Sequence, residues 1–88
     1  MTYTVALYRE ADGRYSVSVP ALKGCHTWGY NIAHALEMVH EAASGYLDVL
    51  VEEGDPIPED TPDIALDMAE TDEAFVCKIS VSEVAAVA

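Results

Sequence analysis

Basic residues are what this 88-residue sequence has least of: four lysines and arginines stand against sixteen acids, a formal net charge of −12. A chain so poor in cations cannot replace the counterions that a phosphate backbone releases, so direct nucleic-acid binding is not expected. Long-range attraction to a positively charged protein is expected instead. Apolar runs are also short. None approaches the roughly 20 residues that span a bilayer, and the opening Met1-Thr2-Tyr3-Thr4-Val5 has neither the basic start nor the apolar stretch of a secretory signal. The expected location is the cytoplasm. There Cys25 and Cys77, the only two cysteines, are expected to remain reduced thiols.

The length allows one domain, expected over residues 1–81, with 82–88 as a tail that is either a single helical turn or disordered. A domain of this size buries about 60–65% of the surface its unfolded chain exposes. Its margin is small, and self-association into a dimer or tetramer would add to it.

Strand signals come first. Thr2 to Tyr8 are almost all β-branched, aromatic or aliphatic, with Tyr3, Val5 and Leu7 on one face. Asp12-Gly13 marks a turn, because glycine accepts the positive φ that a tight connection needs. Tyr15, Val17 and Val19 then alternate with Arg14, Ser16 and Ser18 until Pro20, which has no amide to extend a ladder. Cys25 to Gly29 reads as a short third strand. Asn31 is a candidate N-cap, and Ile32, Leu36, Val39, Ala43, Tyr46, Leu47 and Leu50 follow helical spacing as far as Gly54, a helix-ending residue. Glu37, Glu41, Asp48 and Glu52 fall on the opposite side of that helix and are the candidate partner-binding residues.

The chain from Glu52 to Glu73 holds ten of the acids and no base, with Pro56, Pro58 and Pro62 inside it, and reads as an extended, exposed connector. Ile64, Leu66 and Met68 alternate within it as a short strand, and Phe75, Cys77, Ile79 and Val81 as a final one. The expected architecture is an α+β, two-layer β-β-β-α-β sandwich: one antiparallel-rich sheet with a long helix across one face. The other face, with Ala6, Tyr8, Ser16 and Ser18, is left either solvated or free to associate.

Chemistry finds little purchase. Cys25 and His26 are neighbours on a strand and point to opposite faces, so they do not form a nucleophile pair. His34 and His40 are six residues apart on the helix and make no i, i+4 metal clamp. The acids lack the buried member that acid–base work requires. Gly24 and Gly29 flank a strand, with no helix at phosphate-loop spacing. Trp28 and Tyr30 could stack on bases, but without accompanying cations they are read as core or interface. No enzyme activity, metal or cofactor is expected.

The order Tyr3-x-Val5, Asp12-Gly13-x-Tyr15, Val19-Pro20-x-Leu22-x-Gly24-Cys25-x-Thr27-x-Gly29, Ala35-Leu36, Tyr46-Leu47 and Ile57-Pro58 resembles the HicB-type antitoxins. The match spans about two thirds of the chain, and Gly13, Tyr15, Pro20, Gly24, Cys25, Thr27 and Gly29 are its structural residues. Where the family pattern has Asp-Thr after the last glycine and Glu-Glu before Ala-Leu, this chain has Tyr30-Asn31 and Ala33-His34. The resemblance implies a protein that binds and occludes a small basic toxin of the HicA type, a ribonuclease. Family members commonly add a C-terminal DNA-binding segment. The expectation here is a HicB-like domain without one, either paired with a toxin or acting alone as an oligomeric domain with a structural or small-ligand role.

Overall fold

The computed structural model describes residues 1–64, 66 and 73–81. Four strands, β1 (Thr2–Arg9), β2 (Tyr15–Ser18), β3 (His26–Gly29) and β4 (Ala74–Ser80), form one antiparallel sheet in the order β3-β2-β1-β4. The helix α1 (Ile32–Glu53) lies across one face, mainly over β3 and β2. This is the α+β sandwich expected from the sequence.

The long-range part of this topology is the return of the chain to β1. β4 pairs with it from Thr2↔Ser80 to Tyr8↔Ala74, and the ladder continues at both ends: the Arg9 amide donates to Glu73 O (3.0 Å) and the Val81 amide to Met1 O (2.7 Å). The core under the helix is made by Tyr3, Val5, Leu7, Val17, Val19, Leu22, Ala35, Val39, Ala43 and Leu47, with Ile79 and Val81. Alternation on the strands puts the odd-numbered residues of β1 inside, as their spacing required.

The helix boundaries follow from caps. Asn31 has extended backbone, and its side chain accepts the His34 amide at 2.8 Å. At the other end Gly54 adopts φ 72°, and the Gly54 and Asp55 amides return to Val51 O (3.1 Å) and Leu50 O (2.8 Å). That paired closure satisfies two carbonyls that the helix leaves open. The buried line, however, is Ala35, Val39, Ala43 and Leu47. Leu36, Tyr46 and Leu50 are only partly buried, and Ile32 is exposed. The stripe keeps its expected direction, and the small residues Ala35 and Ala43 along it let the helix sit close to the sheet. Gly29 shows how close. A Cβ there would overlap the backbone of His34 and Ala35, so the strand can pass under the helix start only without a side chain.

Two expectations are corrected. The sheet face away from the helix is not simply open: Thr4 and Ala6 on it are 1% and 3% exposed, whereas Tyr8, Ser16 and Ser18 are half-buried. Of the alternating Ile64, Leu66 and Met68, the first two lie in irregular chain, not in a strand, and Met68 falls outside the described residues. So does the tail 82–88.

Among the remaining motif residues, Leu22 is fully buried and closes the turn after Pro20, where its amide donates to Val19 O and its carbonyl accepts from Cys25. Tyr15 and Thr27 are half-buried within the sheet, Pro20 and Gly24 are exposed turn residues, and Cys25 is in the core. The Val-Pro-x-Leu-x-Gly-Cys run is thus a structural plug that reverses the chain between β2 and β3.

Candidate partner-binding surface

Glu37, Glu41, Asp48 and Glu52 are all exposed on the side of α1 opposite the buried line. At about 100° per residue they fall within about 60° of arc, and at 1.5 Å per residue they extend over about 23 Å. The structure therefore brings together all four residues that the sequence picked out.

Their charges are placed against the stability of the helix. Its 22 residues include no lysine or arginine, so none of these acids has an opposite charge one turn away on its own helix. Glu37 faces Glu41, and Asp48 faces Glu52, at the i, i+4 spacing where like charges cost a few tenths of a kcal/mol. The first turn, where negative charge would be favourable, has no acid, and the last turn has no base. Glu52 and Glu53 stand instead at the negative end of the helix dipole. A helix selected only for its own stability would have the opposite arrangement.

A second exposed feature adjoins the helix start. Trp28 and Tyr30 are 44% and 65% exposed, so they are not the core residues that one half of their sequence reading expected. They meet edge to face with ring centroids 5.0 Å apart, and Tyr30 stacks on the His34 ring at 5.4 Å. The Tyr30 amide donates to His34 Nδ1 at 3.0 Å. Arg14 sits 4.9 Å over the Trp28 ring, but its guanidinium is engaged by Asp12, whose carboxyl it holds below the usual carboxylate range through a hydrogen bond from Nε at 2.7 Å. With its one cation paired in this way, the aromatic cluster offers little to a phosphate backbone.

The residues tested for catalysis stay apart. Cys25 is buried while His26 is exposed on the edge strand, and burial pushes the Cys25 thiol up, away from the reactive thiolate. His34 is taken up by the Tyr30 contact and His40 is exposed elsewhere on the helix. Among the described residues no three His, Cys, Asp or Glu side chains are placed to hold a metal ion, and no helix is long and apolar enough to cross a membrane.

One functional-looking acid escaped the sequence reading. Asp60, in the supposedly exposed connector, has a side chain only 19% exposed. Its carboxylate accepts the Thr4 amide at 2.7 Å and the Thr4 hydroxyl at 2.8 Å, and Lys78 Nζ lies 3.4 Å away. Burial opposes the charged form, but the hydrogen bonds from Thr4 and Lys78 and the lysine charge outweigh it, so the carboxyl is held below its ordinary value. Its partners are structural. The role is therefore to fasten the connector, and nothing in the local sequence distinguishes Asp60 from the acids around it.

With this geometry in view, the chain matches the HicB_like antitoxin of bacterial toxin-antitoxin systems over residues 3–85, and it belongs to that family. A UPF0150 protein of Thermoplasma acidophilum is 42% identical over 60 residues, covering 68% of this chain and 87% of its own length. Among solved structures, the N-terminal domain of the antitoxin HicB from Burkholderia pseudomallei superposes with a TM-score of 0.68 at 27% identity, over 93% of this chain and 99% of that one. A toxin–antitoxin complex from Streptococcus pneumoniae contains a chain of the same fold, with a TM-score of 0.78 at 24% identity, over 93% of this chain and 69% of that one.

Proposed function

We propose that this protein is the antitoxin of a type II pair: it binds a small basic HicA-type ribonuclease toxin and blocks the toxin's RNA-binding face, with Glu37, Glu41, Asp48 and Glu52 as its contact residues. It acts by occupancy and performs no reaction. Family membership supports the class, and the charge pattern of α1 supports the surface. A solvated helix gains nothing from unpaired like charges along one face and at its negative end, whereas a cationic partner would turn each of them into an attraction.

The same charge that steers a basic toxin repels nucleic acid, so the antitoxin works on the toxin and not on its substrate. Cytoplasmic residence and self-association belong to this reading. The test is titration of a HicA-type toxin into the purified chain, with RNA cleavage as the second readout. Tight binding that weakens steeply with salt and abolishes cleavage is expected. Absence of binding would leave a stand-alone oligomeric domain with a structural or ligand role as the better description.

A further inference from the structure

We infer that the outer edge of β4 is the interface between two copies of this chain, paired antiparallel about a two-fold axis at Cys77. This names the surface for the self-association included in the proposed function, and it does not depend on toxin binding. The ladder to β1 uses the amides and carbonyls of the odd-numbered positions, as the Arg9–Glu73 and Met1–Val81 bonds show. In an antiparallel strand the alternate residues then point the other way, so Ala74, Val76, Lys78 and Ser80 turn their backbone groups outward. Among the described residues no strand pairs with that edge.

The sheet has two edges, and they differ. β3 is four residues long, the amide of Tyr30 at its end is already taken by His34, and Gly29 lies pressed beneath the helix start. β4 is seven residues long, and among the described residues nothing comparable lies over it. Its stretch 74–80 carries no acid in a chain of net charge −12, so no carboxylate on the strand itself opposes the approach of a second copy. Lys78, whose side chain is 58% exposed, leans across the sheet face toward β1, with Nζ 3.3 Å from Thr4 Oγ1 and 3.4 Å from Asp60 Oδ2. Phe75 and Val76, 40% and 47% exposed, present apolar surface on the two faces of the strand.

Centring on Cys77 sets the whole strand against itself. Ala74 of one copy meets Ser80 of the other and Val76 meets Lys78, which engages all four outward residues in about eight hydrogen bonds. Phe75 falls opposite Ile79 on the helix side, and the two Cys77 residues form a non-hydrogen-bonded pair, the position at which Cα atoms approach to about 4.5 Å. The result is one continuous eight-stranded sheet with both helices on the same side.

The test uses the full chain without any toxin, so its outcome is separate from that of the toxin titration. Light scattering at micromolar concentration is expected to give at least twice the chain mass. Val76→Pro removes an outward amide that β1 does not use, and is expected to halve the molar mass while circular dichroism stays unchanged. Should that variant fail to fold, the Cys25→Ser chain decides: treatment with a thiol oxidant is expected to link it covalently through Cys77. A monomeric wild type, a folded Val76→Pro of undiminished mass, or a Cys25→Ser chain that does not cross-link would each overturn the assignment.

Discussion

The Asp60 carboxylate stands where the backbone of a neighbouring strand would otherwise be, accepting both the amide and the hydroxyl of Thr4. The register Ala6↔Ser18 continued by two residues would set Thr4 opposite Pro20, but β2 ends at Ser18 and the chain turns away. The connector fills the gap. Pro58 O accepts the Tyr3 hydroxyl at 2.6 Å and Asp60 accepts Thr4, so two consecutive residues of β1 hold the strap from the two faces of the strand.

Asp60→Ala would leave the amide and hydroxyl of a 1%-exposed Thr4 without an acceptor. A loss of about 1–3 kcal/mol is expected, the usual penalty for an unsatisfied buried group, read as a lower urea midpoint. Asp60→Asn, which keeps one acceptor oxygen, should lose less.

The pH dependence has a definite sign. Because the Asp60 carboxyl is held below its ordinary value in the folded state, its contribution is complete above the unfolded carboxylate pKa near ~4 and is lost as the pH falls through the folded value. Asp60→Asn should therefore flatten the acid limb of the stability curve and leave its slope at neutral pH unchanged. Urea titrations at a series of pH values check this.

Gly29→Ala is expected to be among the most damaging single methyl additions in the chain. The new Cβ would overlap main-chain atoms of His34 and Ala35, which cannot rotate aside. The helix start must move off β3, at about 1–3 kcal/mol or more for overpacking. Thermal unfolding should show it, and Gly45→Ala, with open space at its Cβ, is the control and should be neutral or stabilising.

Glu52→Lys should act in opposite directions on stability and on binding. It replaces a charge at the unfavourable end of the helix dipole and relieves the repulsion with Asp48, so a gain of about 0.3–1 kcal/mol is expected in thermal unfolding. If the stripe is the contact surface, the same change weakens toxin binding. A variant that is more stable and binds less well separates a functional charge from a structural one.

Much of this fold could be read from local chemistry. The helix from Asn31 to Gly54 was legible because both caps are side-chain or backbone-conformation effects within a few residues, and β1 and β4 because their alternation is visible over eight and seven positions. What could not be read depends on contacts between distant segments. Asp60 resembles its acidic neighbours until Thr4, 56 residues away, is placed beside it. Ala35 outranks Ile32 in the core because of how near the helix lies to Gly29, and helical periodicity carries no information about that distance. The acidic stripe was legible as a pattern, but its cost to the helix became clear only with the caps and the buried line fixed.

The most direct measurement is the affinity of the HicA-type toxin for wild type and for a chain carrying Glu37→Lys, Glu41→Lys, Asp48→Lys and Glu52→Lys together, by calorimetry at low and high salt. Recognition through the helix requires strong, salt-sensitive binding by the wild type and its near-complete loss in a charge-reversed chain that remains folded. Equal affinity for the two chains, with the same salt dependence, would contradict it.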